Sequence, residues 1–220
     1  MLNILLLCDD KWHPGEVFER GLVRPLSQKG VHFDVVKAPR DILTKEMIRT
    51  FDVIINARGN SYSAANPAAW FSEGETDVMP EDLADYVREG GGFLALHGGN
   101  TYKTDRLPTM TELIGNDFIG HPKMCPIRAF PVGSHPITQG IEPCMIRDEH
   151  YMLDIHCEDA DVFYKSTSDT EAGTQIAGYT RNYGEGRICV LTPGHTQAVL
   201  ETEAYAKVLY NAILWCAKQI

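Results

Sequence analysis

Short unbroken apolar runs punctuate the first hundred residues, with amphipathic stretches between them. Asn3 to Cys8 is such a run and reads as a strand buried on both faces, as in a parallel sheet. Gly15 to Lys29 places Val17, Phe18, Leu22 and Leu26 on one helical face, and Gly30 stops the helix. Val31 to Val36 alternates as a strand, which turns His32 outward or onto an edge. Thr44 to Arg49 is a short helix and Phe51 to Ala57 a third strand. Pro80 to Glu89 is a further helix, with Pro80 suited to its first turn and Leu83, Tyr86 and Val87 inward. It leads through Gly90-Gly91-Gly92 into the apolar run Phe93 to Leu96. This alternation opens a doubly wound sheet with right-handed crossovers.

After Asn100 the pattern becomes strand-rich. Pro108 to Ile114 is a short helix. Ile127 to Val132, Met145 to Tyr151, Val162 to Ser166, Gln175 to Asn182 and Arg187 to Leu191 read as strands. Asn182 to Arg187 supplies a hairpin turn between the last two, and Ser134 to Gly140 is a turn. Glu203 to Lys218 closes the chain as an amphipathic helix with Tyr205, Val208, Leu209, Ala212 and Leu214 inward. The expectation is one α/β domain over residues 1–220. Its sheet is doubly wound and mainly parallel, with helices on both faces and antiparallel strands added from the second half. Arg58 to Val78 is a long polar loop carrying Asn60, Ser61, Tyr62, Asn66, Trp70 and Glu73. A binding lid and a plain surface excursion fit it equally well.

Net charge changes the picture by exclusion. At -10 it argues against a nucleic-acid or acidic-membrane partner. No apolar run reaches transmembrane length, and Met1 to Leu7 is too short and lacks the charged start of a signal peptide. The 6 cysteines are scattered without a CxxC pair, which fits a reducing cytoplasm and no disulfide framework. A homo-oligomer is expected only because symmetric assemblies are common among soluble proteins.

Candidate chemistry gathers where strands end. Phe93 to Leu96 ends on His97, followed at once by Gly98-Gly99-Asn100. Small residues framing one reactive side chain after a strand resemble a nucleophile elbow, here with an imidazole in place of serine or cysteine. The Gly98-Gly99-Asn100 turn could offer backbone amides to a substrate oxygen. His195 ends the last strand in a second glycine setting, Pro193-Gly194-His195. Two histidines at one sheet edge suit proton transfer near neutral pH. Glu149 could orient one or act as a second base, and Asp9 leaves the first strand at the same edge. Each alone has a bland reading as a solvated or paired surface group. His121 and His135 precede prolines and read as turn residues, His135 more firmly. His13, His32 and His156 have no supporting pattern. His97, His121, His150 and His195 with Glu149 and Asp9 could also hold a divalent metal such as zinc, although no HxH or HExxH spacing is present.

Several pieces together resemble the ThuA-like proteins of the class I glutamine amidotransferase-like superfamily. They are Gly90 to His97, Gly120-His121-Pro122, His135 to Ile141, Asp148-Glu149-His150-Tyr151, Tyr183 to Ile188 and Gly194-His195-Thr196. The resemblance implies a flavodoxin-like core with His97 in the place of the amidotransferase nucleophilic cysteine and His195 as the counterpart of its catalytic histidine. Cysteine-dependent glutamine hydrolysis is therefore not expected. The resemblance implies a sugar ligand of the trehalose or keto-sugar kind. His97, His195 and Glu149 are the expected catalytic residues of a hydrolase or isomerase. Asp9, Gly98, Gly99, Asn100, His121 and Tyr151 are expected at the substrate, with Tyr62 and Trp70 available to stack on a sugar ring. The alternative is a non-catalytic ligand-binding or regulatory module on the same scaffold. His97, His195 and Glu149 should converge on one pocket, with Asp9 and His121 at its rim.

Overall fold

In the first strand, alternate side chains go to opposite sides of the sheet. Ile4 and Leu6 join one apolar cluster, and Leu5 and Leu7 join the other. Both faces are thus covered, which is why the run is apolar without interruption. The computed structural model describes all residues except 38–41, 62–69 and 72–75.

The chain begins β1 (Asn3–Leu7), α1 (Gly15–Phe18), a π-helical turn (Glu19–Val23), α2 (Arg24–Ser27), β2 (His32–Val36), α3 (Lys45–Ile48), β3 (Val53–Asn56), α4 (Pro80–Arg88) and β4 (Gly92–Leu96). The helix expected over Gly15 to Lys29 is therefore interrupted. Pro25 lies in the first turn of α2, where a missing N–H and a ring clash prevent a regular i→i−4 bond. The wider turn ahead of it accommodates the break. His32 is exposed on edge strand β2.

The second half runs through a short 3-10 turn (His97–Asn100), α5 (Pro108–Ile114), β5 (Asn116–Gly120), β6 (Cys125–Pro131), β7 (Cys144–Asp148), β8 (Met152–Ile155), β9 (Asp161–Thr167), β10 (Thr174–Tyr183), β11 (Gly186–Leu191), α6 (Gln197–Leu200) and α7 (Glu203–Cys216). Among the described residues, nine strands form one sheet in the order β2-β1-β3-β4-β11-β10-β9-β6-β7. The first five are mutually parallel and form the flavodoxin-like core. From β10 onward each neighbour is antiparallel. The antiparallel strands are thus added beside the parallel core, and the β10–β11 hairpin joins the two.

Two expectations are corrected. The strand expected over Met145 to Tyr151 stops at Asp148, and β8 starts at Met152 to pair with β5 in a separate two-stranded sheet. Neither short partner alternates cleanly enough to announce itself, since β5 has a bulge between Phe118 and Gly120. In α7, Ile213 is buried and Leu214 only half-buried, a one-residue rotation of the inward face.

Leu94 and Met145 should separate the contributions of core and surface. Leu94 is fully buried on β4, whereas Met145 is 62% exposed. Leu94→Ala is expected to cost about 2–5 kcal/mol in urea denaturation. Met145→Ala should stay within about 0.5 kcal/mol of the parent.

Candidate functional site

The parallel strands deliver their carboxyl ends to one edge, where open α/β sheets bind ligands. β4 and β11 are adjacent, with Leu96 opposite Leu191. The next residues, His97 and Thr192, are therefore neighbours, and His97 Nδ1 lies 2.8 Å from the Thr192 carbonyl oxygen. A carbonyl cannot donate, so Nδ1 carries a proton, and the neutral form of the ring is the tautomer with its lone pair on Nε2.

His97 is fully buried and sits at φ +44°, in the left-handed region. Such a backbone costs about 1–3 kcal/mol at a non-glycine residue and persists only where its surroundings impose it. The turn that follows imposes it here. The Asn100 side-chain amide donates to the carbonyls of Leu191, Ala95 and His97 at 3.0, 3.3 and 3.3 Å. A Cβ on Gly99 would lie 1.9 Å from the Asn56 carbonyl oxygen, and one on Gly98 would lie 2.5 Å from His13 Nδ1. Only glycine lets these elements close on the elbow. Gly98, Gly99 and Asn100, expected at the substrate, are instead buried beneath the site and do not line its cavity.

Three groups converge on His97 Nε2, and a fourth packs against its ring. His195 Nδ1 and the Tyr151 hydroxyl lie at 3.2 Å, and Glu149 Oε2 at 3.4 Å. The His13 ring meets the His97 ring edge-on with centroids 4.8 Å apart. His195 Nδ1 is also 3.2 Å from Glu149 Oε2, and His121 Nε2 is 3.6 Å from it. The bond to Glu149 holds the His195 pKa above the ordinary histidine value, against the opposing effect of burial. Burial would raise the Glu149 pKa, but the His195 and His97 rings beside it outweigh burial and hold it well below the usual carboxylate range. Burial, then the Glu149 and Asp148 charges, push the Tyr151 phenol well above its usual value.

Glu149 reaches the site because the chain breaks at Asp148. The buried Asp148 carboxylate accepts from Gly194 N at 2.7 Å, His195 N at 3.2 Å and Glu149 N at 2.9 Å. One side chain thus ties the end of β7 to the His195 loop. The Tyr205 hydroxyl, on α7, donates to the Pro193 carbonyl at 2.7 Å and fixes the same loop from behind.

His13, for which the sequence showed no supporting pattern, belongs to the site. Its Nδ1 lies 2.8 Å from both Asp10 carboxylate oxygens, and its Nε2 lies 3.3 Å from the Tyr151 hydroxyl. Burial lowers the His13 pKa despite Asp10. Burial would raise the Asp10 pKa, but bonds from His13, Gly59 and Trp12 outweigh it and leave it lowered. The signal lay in the i, i+3 pair Asp10 and His13 directly after β1, at the same edge as His97. Asp9, expected at the rim, is displaced by its neighbour. Its carboxylate accepts from Gly15 N at 2.9 Å at the start of α1, and it does not line the cavity.

The remaining histidines are structural or peripheral. His150 is turned away, with its ring nitrogens 2.8 and 2.9 Å from the Ser168 and Ser166 hydroxyls. It is therefore not available to a metal with His97. His135 Nδ1 accepts from Ile137 N at 3.1 Å and caps a short turn. His121 lines the cavity and stacks on Tyr151, with centroids 5.4 Å apart.

Above the cluster opens a cavity of about 920 Å³, lined among others by His13, His121, Glu149, Tyr151 and His195. That lies within the usual range for small-molecule sites. Trp12, 63% exposed, lies at its mouth. Trp70 does not serve there, being buried with the Arg58 guanidinium 3.6 Å over its ring. Burial lowers the Arg58 pKa to about 9. Tyr62 lies outside the described residues. One donor atom from each of His13, His97, Glu149 and His195 falls within 4.8 Å of the others, so these four could hold a metal ion.

The sequence profile of the ThuA family, described as trehalose utilisation, matches residues 9–216. No curated protein sequence matches the chain. Among solved structures, a ThuA-like protein from Parabacteroides merdae superposes with a TM-score of 0.76 at 16% identity, covering 99% of this chain and 90% of that one. A Salmonella typhimurium LT2 protein described as cytoplasmic gives 0.69 at 20% identity, covering 98% and 99%. A glutamine amidotransferase from Thermotoga maritima gives 0.61 at 11% identity, covering 99% and 96%. At these identities the superpositions establish the shared fold. Among the described residues, no helix is long and apolar enough to cross a membrane.

Asp148→Ala tests the brace under His195. It should strand the buried Gly194 N–H, at about 1–3 kcal/mol for an orphaned buried donor. The expected result is a lowered urea midpoint together with shifted His195 ring resonances by NMR. Unchanged His195 resonances would show that Asp148 does not position it.

Proposed function

The chain belongs to the ThuA family of trehalose utilisation, and on that premise we propose that it is an enzyme of sugar metabolism. Its substrate is a trehalose-like disaccharide or a keto-sugar derived from one, and it acts in the cytoplasm. The supporting observation is the pair of His195 and Glu149, in contact at 3.2 Å on the cavity wall, backed by the buried His97. A carboxylate beside an imidazole can hold a proton on the ring and accept one back. This is the equipment for general acid–base work at a sugar hydroxyl, or at a carbon next to a carbonyl. His195 is the proton donor and acceptor in this reading, and Glu149 the group that tunes and orients it. Tyr151 lines the floor against which the reacting atoms rest, and the buried His97 ring stacks behind it. Trp12 offers its exposed ring at the mouth, where the apolar face of a pyranose can lie against it. The elbow carries an imidazole, so thiolate attack on glutamine has no nucleophile there.

The reaction class that follows is hydrolysis or isomerisation of the sugar derivative. The test is a panel of trehalose, related disaccharides and their keto forms, followed by calorimetry for binding and product analysis for turnover. Wild-type protein should bind and convert at least one of them. His195→Ala and Glu149→Gln should lower kcat by about 10²–10⁴-fold while sparing affinity within a few-fold. Binding without turnover by the wild type would replace the enzyme with a ligand-binding module on the same scaffold. No binding of any member would overturn the sugar assignment.

A further inference from the structure

The groups around His97 do not have enough hydrogens among them. His97 spends its ring proton on the Thr192 carbonyl, and the 2.8 Å contacts of His13 Nδ1 with Asp10 place its ring proton there. Both neutral rings therefore turn an Nε2 lone pair inward. The Tyr151 hydroxyl lies 3.2 Å from one Nε2 and 3.3 Å from the other, and its single proton serves one of them. His195 Nδ1 faces both His97 Nε2 and Glu149 Oε2 at 3.2 Å. One proton there again has two acceptors. The remaining contact, 3.4 Å between His97 Nε2 and Glu149 Oε2, sets lone pair against lone pair in a buried place.

We propose that these lone pairs converge on a divalent first-row transition ion of the zinc class, held by His13, His97, His195 and Glu149. His97 Nε2, His195 Nδ1 and Glu149 Oε2 form a triangle with sides of 3.2, 3.2 and 3.4 Å. Ligands about 2.0–2.1 Å from a tetrahedral ion lie about 3.3 Å apart, so this triangle matches one face of such a polyhedron. The fourth residue, His13, also brings a donor atom within 4.8 Å of the rest. Imidazoles with one carboxylate and no thiolate select zinc, manganese, iron, cobalt or nickel over calcium and magnesium. The outer contacts match as well. Metal-bound histidines commonly give their second N–H to a carboxylate or a backbone carbonyl, as His13 gives to Asp10 and His97 to Thr192. The fixed φ of His97 and the Asn100 latch hold the deepest ligand before any ion arrives. His13, His195 and Glu149 line the cavity, so an ion among them faces the space a substrate would fill. The inference deepens the sugar-enzyme reading and rests on it for the ion's chemical use. With the ion bound, His195 Nδ1 gives up its proton and becomes a ligand beside Glu149, which leaves Nε2 as the proton-carrying nitrogen of that ring. The test reads the ion alone.

Protein purified without a histidine tag is analysed for metals by plasma mass spectrometry. It is then stripped with dipicolinate and titrated with Co²⁺ and Zn²⁺. The expected results are close to one equivalent of a transition ion per chain, visible d–d absorption on Co²⁺ addition, and a Tm raised by Zn²⁺. Glu149→Gln, nearly isosteric, should retain fold by circular dichroism and weaken Co²⁺ binding at least 10-fold. Asp10→Asn should weaken it about 10–100-fold through His13. Absence of both bound metal and a Co²⁺ spectrum in the folded wild type would overturn the proposal. So would binding that Glu149→Gln and His13→Ala leave unchanged. Sugar binding by the stripped protein keeps the two readings apart. Metal without any sugar ligand sinks the sugar reading alone, and sugar turnover without any metal sinks the ion alone.

Discussion

The parallel pairing of β4 with β11 is the constraint on which the site depends. Leu96 lies opposite Leu191, so two strands far apart in sequence release their chains side by side at one edge. The His97 ring then bonds the Thr192 carbonyl, and His195 follows three residues later within reach of the same ring. A one-residue slip would send every β4 side chain to the opposite face of the sheet. That slip is opposed from both sides. Leu94 and Leu96 pack into one apolar cluster and Phe93 and Ala95 into the other, so a one-residue slip would exchange side chains of different size between two close-packed faces.

A rigid core is what allows the site to be unfavourable locally. His97 holds a left-handed backbone conformation, and Asp10 and His13 are buried with it beneath the half-buried Glu149 and His195. Each of these would relax if its support moved. The supports are hydrogen bonds from outside the cluster: Asn100 under the elbow, Asp148 under the His195 loop, and Gly59 N on Asp10 at 2.6 Å. Such bonds freeze side-chain orientation before a ligand arrives, which lowers the entropic cost of binding it.

The antiparallel half of the sheet has a different task. It does not extend the ligand edge. It brings β7 to a point where Asp148 can reach across to Gly194, and there the strand must stop. The short β5–β8 pair then carries Tyr151 back over the cluster, where it stacks on His97 with centroids 4.4 Å apart. The parallel core thus supplies His13, His97 and His195, and the connection between the added strands β7 and β8 supplies Glu149 and Tyr151.

The sequence by itself determined the parallel core and the two histidines at its edge. Buried parallel strands must be continuously apolar, and a glycine-framed polar residue at the end of such a run is visible without coordinates. Glu149, His121 and Tyr151 were legible only through the order of short motifs. Tertiary structure decided the rest. It chose Asp10 over Asp9, because the φ of +76° at Asp9 turns that carboxylate to Gly15 and leaves the next one facing the edge. It recruited His13, whose role depends on a partner three residues away and on rings nearly a hundred or more residues later. It assigned Gly98, Gly99 and Asn100 to support, because their neighbours Asn56, His13 and Leu191 come from other elements. Local pattern records whether a residue is buried and in what kind of element. Which buried polar groups face one another is set by long-range packing, which leaves no periodic trace in the chain.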